Sequence, residues 1–382
     1  MNGLPKDGSR IRENSGPWNA DARILTNSAT TTELLARVDG VLNGHMSDVE
    51  SIYRDELDSA NPYVGDVLLQ ASQFRGKRLR PMLLLLTADA AGGIRREHLT
   101  LAAVVEMIHT ATLVHDDVLD EAATRRHVAT VNSRWNNETS VLFGDYLFTH
   151  SFHLAASLKS TVACRLIGRS TNIICEGELT QIRERGNFEL TEEAYLKIID
   201  GKTAELCALC CRLGAMFAEA DWDGCAAADP SRAADDAVVI AAEQYGRSLG
   251  MAFQIADDIL DLVGDERQTG KSLGSDFAKQ KLTLPTIRLL AVAEEPEAAA
   301  LDGAAAAHPS GAAAVRELLS RADRDAWQEL RQRLLDGDAL RYARSRALEF
   351  AANASESLAR LPDTASRRIL EEMTEFAALR RF

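Results

Sequence analysis

The sequence predicts an all-α protein folded as one large helical domain, and three observations carry that expectation. No proline occurs from Met82 to Asp229 or from Ser231 to Leu284, which leaves long stretches free of helix breakers. Alanine is abundant, aromatic residues are only 5% of the chain, and clean two-residue alternation is scarce, so strands have little to build on. Segments such as Leu99–His115 and Ala241–Leu262 place apolar residues three and four apart, the period of a helix face. At typical helix length the 382 residues accommodate roughly a dozen helices.

Composition narrows the function before any motif is read. Lys and Arg number 43 against 57 Asp and Glu, giving a net charge of −14 and arguing against a nucleic-acid binder. Six cysteines in this length are not a disulfide framework, and a reduced, cytoplasmic setting is expected. No uncharged run reaches 18 residues, so membrane contact should be peripheral at most.

In chain order, residues 1–28 mix Asn, Ser, Gly, Pro and charges without periodicity, and are expected to be a loose tail. Asp7, Glu13 and Asp21 argue against a transit peptide, and no apolar core of a secretory signal is present. The helical domain is expected over residues 29–382. Gly76-Lys77-Arg78-Leu79-Arg80-Pro81 then puts three bases in four residues, directly before an apolar helix.

The apolar segment Leu99–His115 runs into Asp116-Asp117-Val118-Leu119-Asp120, and Ala241–Leu262 carries the matching Asp257-Asp258-Ile259-Leu260-Asp261. On a helix, residues i and i+4 share a face, about 6 Å apart along the axis. Three carboxylates on one turn repel one another, and next to apolar runs they are costly to bury without a partner. A hard divalent cation relieves both, and an oxygen-only ligand set suits Mg²⁺, which shares its shell with water and substrate phosphates. One such motif could be a solvated acidic helix end; two, each behind an apolar helix, suggest carboxylates facing one another across a diphosphate. Bases recur near both motifs: Arg125, Arg126, Lys202, Lys271 and Lys281. Gly270-Lys271-Ser272 is not a phosphate-binding P-loop, because Asp265 stands where that motif requires glycine.

Two further stretches read as connections: 221–236, and 294–311, which is rich in Ala, Glu and Pro and is expected to be a variable excursion. Cys207, Cys210 and Cys211 share a helix and read as core residues more readily than as zinc ligands.

Taken together, GKRLRP (76–81), EMIHTATLVHDDVLDEAATRR (106–126), SVLFGDYLF (140–148), EGELTQ (176–181), GKTAELC (201–207), YGRSLGMAFQIADDILD (245–261) and GKSLGSDFAKQKLTLP (270–285) resemble the trans-isoprenyl diphosphate synthases, the polyprenyl synthetase family, and most of all its long-chain members. The resemblance is strong over about residues 45–290. It implies helices around a central cavity, a homodimer, and Mg²⁺, three ions per site. It implies condensation of isopentenyl diphosphate with an allylic diphosphate such as geranyl, farnesyl or geranylgeranyl. By resemblance Asp116, Asp117, Asp120, Asp257, Asp258 and Asp261 hold Mg²⁺, Arg125, Lys202 and Lys271 meet the allylic diphosphate, and Lys281 binds substrate. Thr203 and Gln254 line the reacting end, while Lys77, Arg80, His109 and Arg126 bind isopentenyl diphosphate. The chain departs from the family at Arg75, His127 and Gln280, where glycine is common.

A helix turn rises about 5.4 Å, close to one isoprene unit. Ala111 and Thr112, one turn before Asp116, are therefore expected to floor the cavity, with Met107 and Ile108 a turn deeper. None is aromatic, so a product longer than geranylgeranyl is expected. Bulk from Phe143, Phe148 or His150 on another helix is the alternative floor. A short-chain (farnesyl or geranylgeranyl) diphosphate synthase, a class I terpene cyclase and a silent subunit of a heteromeric synthase are the competing functions. The second acidic motif and the Lys77/Arg80/His109 set disfavour the cyclase, and retention of all six aspartates disfavours the silent subunit.

Overall fold

The computed structural model describes residues 28–73, 76–125, 128–218, 236–264, 273–294 and 311–378. The expected tail, the greater part of both expected connections, and Arg75, Arg126, His127 and Lys271 lie outside the described residues.

The all-α expectation holds. Helices α1 (Ser28–Leu42), α2 (His45–Glu56), α3 (Pro62–Ser72), α4 (Leu79–Ala91) and α5 (Arg96–Leu119) lead to the first acidic motif. The strands described are a two-residue pair, β1 (Thr124–Arg125) and β2 (Val128–Ala129), joined antiparallel. Next come α6 (Val131–Arg134), α7 (Asn137–Ala156), α8 (Thr161–Arg183) and α9 (Glu192–Ile199). A π-helical turn, Asp200–Ala204, runs straight on into α10 (Glu205–Met216). Then α11 (Ala237–Val263) carries the second motif, followed by α12 (Ser275–Ala278), α13 (Leu284–Glu294), α14 (Gly311–Arg321), α15 (Arg324–Asp336), α16 (Ala339–Leu358) and α17 (Ala365–Ala378).

Many helix starts are written locally. Side-chain oxygens of Asn61, Thr130, Asn136, Ser160, Thr191, Asp236 and Asp323 each accept from a backbone N–H in the first turn of the helix that follows. Such caps are worth about 1 kcal/mol each.

The helices pack in sequence through the middle of the molecule: α4 on α10, α10 on α11, α11 on α16, with α5 between α4 and α7. Their shared core holds Leu83–Leu86, Leu101–Val105, Cys207, Cys210, Cys211 and Tyr245, so the three cysteines are core residues as expected. A Cβ at Gly246 would lie 2.4 Å from the Cys207 carbonyl oxygen, so glycine is what lets α11 press this close to α10. Tyr245 beside it is wholly buried, and its hydroxyl donates to Leu370 O at 2.9 Å, which ties α11 to α17. A second apolar cluster joins α9, the lower part of α11, and α13–α16 through Tyr195, Ile255, Leu284 and Leu330. No helix among the described residues is long and apolar enough to cross a membrane.

Candidate active site

α5 and α11 deliver the two acidic motifs to one cavity of about 1260 Å³, larger than the roughly 300–1,000 Å³ of an ordinary ligand pocket. It is lined by the charged side chains Asp116, Asp120, Asp257, Asp258, Asp261, Lys202, Lys279 and Lys281 and by the apolar side chains Leu34, Leu57, Leu68, Leu113 and Phe143.

The six aspartates are not equivalent. Asp117 is 2% exposed and turns away from the cavity, where its Oδ1 accepts from Arg125 Nε at 2.9 Å and Nη2 at 2.8 Å. The β1–β2 pair is what folds Arg125 back onto it. Asp258 repeats the pattern on α11. At 4% exposure, it accepts from the Tyr195 hydroxyl at 2.5 Å and from Gln254 Nε2 at 2.8 Å. Thr203 in turn donates to Gln254 Oε1 at 2.9 Å, so the expected pair Thr203 and Gln254 do meet at the second motif. Burial and the neighbouring Asp276 push the Asp258 carboxyl well above the usual carboxylate range. Asp261 caps the start of α12, accepting from Ser275 N at 3.2 Å, Ser275 Oγ at 2.9 Å and Asp276 N at 3.2 Å. The middle aspartate of each motif and Asp261 are thus engaged by protein donors; of the six, Asp117 alone is absent from the cavity lining, while Asp258 and Asp261 reach it beside Asp116, Asp120 and Asp257.

Asp116 is raised by burial, with Lys202 acting against the rise. Lys202 sits in the π-helical turn, which directs it at Glu178, with which it pairs, and at Gln181 Oε1, 2.8 Å away. Burial opposes its charge, but Asp116 and Glu178 outweigh burial and lift its pKa above the ordinary value. The turn fits because Gly177 on α8 leaves room: a Cβ there would lie 2.6 Å from Lys202 N. Asp120 faces three bases, with Lys279 Nζ at 3.0 Å, Lys281 Nζ at 3.2 Å and Arg185 Nη2 at 3.6 Å from its Oδ1. Burial raises Asp120, yet Lys281 and Lys279 prevail and bring it down to about 2.

A second basic group stands where α4 begins. Arg80 Nη1 meets His109 Nε2 at 3.0 Å, Lys77 Nζ lies 5.3 Å over the Phe376 ring, and all three bases line the cavity. Arg78 holds this loop in place. It is in the left-handed region (φ 51) at the start of α4, and it pairs with Glu50 of α2 at 2.6 Å and with buried Glu106 of α5.

The donor set suits a divalent cation. Asp116 and Asp120 stand one turn apart at the end of α5 and Asp257 lines the same cavity from α11; all three are oxygen donors, though among the described residues no three such side chains close on a single cation position. Waters and diphosphate oxygens would supply the remaining ligands.

The floor expectation needs correction. Ala111 and Met107 are fully buried in a cluster with Val114, Phe143 and Leu147, and Ile108 lies in the main core. The Thr112 hydroxyl turns back to His109 O at 2.8 Å. None of the four lines the cavity; α5 presents Glu106, His109, Thr110 and Leu113 to it. At about 100° per residue, five residues back from Asp116 is about 140° off its face, and nine back is opposite it. Of the alternatives, Phe143 lines the cavity, whereas Phe148 and His150 do not. Sequence reasoning also missed Lys279, Arg185, Tyr195 and the Arg78–Glu106 pair. The positions of Arg78, Glu106 and Lys279 inside matched motifs could have flagged those three; Arg185 and Tyr195 carry no such signal.

Residues 61–322 match a family model described as polyprenyl synthetase. The chain is 33% identical over 346 residues to the octaprenyl diphosphate synthase of Escherichia coli, covering 91% of this chain and 99% of that one. It is 37% identical over 229 residues to the geranylgeranyl diphosphate synthase of Saccharolobus solfataricus, covering 58% and 65%. Among solved structures, the polyprenyl synthase of Caulobacter crescentus complexed with calcium and isoprenyl diphosphate superposes with a TM-score of 0.78. It is 31% identical, over 91% of this chain and 98% of that one.

Proposed function

The chain belongs to the polyprenyl synthetase family, and from that premise we propose that this cavity condenses isopentenyl diphosphate with an allylic diphosphate and releases a trans-polyprenyl diphosphate longer than geranylgeranyl. The observation that carries the reading is that Asp116 and Asp120 of α5 and Asp257 of α11 line one cavity together with Lys202, Lys281 and apolar side chains such as Leu68, Leu113 and Phe143. The octaprenyl relative matches over nearly its whole length, whereas the geranylgeranyl relative matches over two thirds, which favours the longer product.

Divalent cations held at Asp116 and Asp120 on one side and at Asp257 on the other, Mg²⁺ by preference, would neutralise the diphosphate and stabilise it as a leaving group. The chain's own residues do the rest. Lys202 and Lys281, with Lys271, orient the allylic diphosphate and stabilise the charge that gathers on it as the C–O bond breaks. Lys77, Arg80 and His109 hold isopentenyl diphosphate with its double bond toward the allylic carbon. Thr203 and Gln254 line the point where the new C–C bond forms. Leu113, Phe143 and Leu68 exclude water from the allylic cation, which water would quench. The proton lost to form the new double bond passes to the departing diphosphate. A second copy of the chain would cover the exposed apolar side chains of Tyr63, Val141 and Leu142, giving a homodimer.

The test incubates the purified chain with Mg²⁺, labelled isopentenyl diphosphate and farnesyl diphosphate, and sizes the dephosphorylated products. A ladder running beyond geranylgeranyl is expected. A stop at geranylgeranyl refutes the long product, and no incorporation with any allylic primer refutes the elongase.

A further inference from the structure

Residues 76–80 present Lys77 and Arg80 to the cavity, and Arg78 between them has a different task. Its guanidinium lies between two carboxylates on separate helices. Nε and Nη2 donate to Glu50 of α2 at 2.6 and 3.4 Å, and Nη1 donates to Glu106 of α5. The Tyr53 ring of α2 stands 5.2 Å from the same guanidinium, and the Tyr53 hydroxyl donates to Thr110 Oγ1 of α5 at 3.4 Å. With its charge answered twice over, Arg78 has little left to offer an anionic substrate. Its backbone is left-handed (φ 51), which costs a non-glycine residue free energy and persists only where the surroundings enforce it.

α5 meets this turn twice. Glu106 holds Arg78, and His109, three residues on along the same helix face, meets Arg80 at 3.0 Å. The two contacts are rungs between one helix and one turn, so the place of the first fixes the place of the second. The Glu106 side chain is 8% exposed, and its Oε2 is buried without a hydrogen-bond partner among the described residues. A buried pair with an unsatisfied oxygen adds little stability that an apolar pair of the same size would not, so its use here is conformational. We propose that Glu106 is a positioning residue of the isopentenyl diphosphate site: acting through Arg78, it holds residues 76–80 in the one backbone conformation that directs Lys77 and Arg80 into the cavity together. This assignment rests on the elongase reading, in which Lys77, Arg80 and His109 take isopentenyl diphosphate.

Isopentenyl diphosphate is titrated calorimetrically, without primer and with Mg²⁺ held constant, into the full-length wild-type chain, Glu106→Gln, Arg78→Gln and the variant carrying both changes. The KM values for isopentenyl and farnesyl diphosphate are measured beside them. Misplaced charge-assisted contacts are costly, so Glu106→Gln and Arg78→Gln should each weaken isopentenyl diphosphate binding about tenfold and raise its KM alike, with the KM for farnesyl diphosphate within about twofold of wild type. The double variant should be no worse than Arg78→Gln alone, because Glu106 acts only through Arg78. A role in stability alone would lower melting temperatures without splitting the two KM values. Melting curves confirm that each variant is folded. One that unfolds is replaced by Glu50→Gln, on the more exposed side of the clamp, with about a threefold effect expected. Tighter binding by Glu106→Gln overturns the proposal, because it would make Arg78 a ligand that Glu106 restrains; so does a wild-type chain that binds no isopentenyl diphosphate. If primers are extended and Glu106→Gln binds as wild type does, this inference alone fails. If binding falls as expected but no primer is extended, the elongase reading fails and this one stands.

Discussion

Asp117 and Asp120 stand three residues apart in one motif and have opposite duties. Replacing Asp117 with Ala leaves Arg125 partnerless in a poorly hydrated spot and should cost about 3 kcal/mol of stability, read from denaturant melts. Replacing Asp120 with Ala should leave the fold within about 1 kcal/mol, because that side chain is 25% exposed, yet lower turnover about a hundredfold or more. His98 gives a second residue-level test. It accepts from Arg95 N at Nδ1 (2.9 Å) and sits 3.1 Å from Gly214 O at Nε2, as a neutral ring does, and burial pulls its pKa down to about 4. The unfolded chain therefore binds the proton more readily. The stability that neutral His98 supports is fully present above pH 6.5 and drains away as pH falls toward 4, by about 3 kcal/mol. The difference in unfolding free energy between wild type and His98→Gln, followed over pH 4–7, isolates this contribution; a pH-independent difference refutes it. The sequence named all six aspartates, but it could not separate them by duty. Arg125, eight residues beyond Asp117, and Tyr195, sixty-three before Asp258, reach them only through the tertiary fold.

At the level of elements, the helices and both motif-bearing segments were legible because proline-free stretches, capping residues and 3.6-residue periodicity are local signals. The π-helical turn was not, since nothing in Asp200–Ala204 marks it apart from the helix around it. Its fit against α8 makes Gly177→Ala a sharp test: the added methyl meets the Lys202 backbone, and a loss of about 1–3 kcal/mol with a raised KM for the allylic substrate is expected. The face of α5 supplies another. Leu113→Phe or Thr110→Phe should shorten the product, whereas Ala111→Phe, placed in a tight cluster behind the wall, should chiefly destabilise by about 1–3 kcal/mol. Product sizing beside melting temperatures separates the two outcomes. A one-residue error in facing is what periodicity alone permits, because it says which positions share a face but not which face meets the cavity.

For the molecule as a whole, the architecture and the overall location of the site were readable, and the wall made by separate loops was not. Arg185 resembles any solvated base until Gly186 N–H is seen to donate to Gln280 O, which joins its loop to the one that carries Lys279 and Lys281. That arrangement also shapes how substrates arrive. The bases are recessed inside a chain of net charge −14, and both substrates are anions. At low ionic strength the protein's outer field reaches about 30 Å and repels an approaching diphosphate, while the attractive bases act only at short range. Added salt shortens the repulsion to about 10 Å near 0.1 M before it weakens the enclosed contacts. Stopped-flow association with farnesyl diphosphate should accordingly speed up as NaCl rises from about 10 to 100 mM at constant Mg²⁺, the reverse of ordinary electrostatic steering. A rate that falls over that range would mean that the local basic funnel, and not the global charge, governs capture.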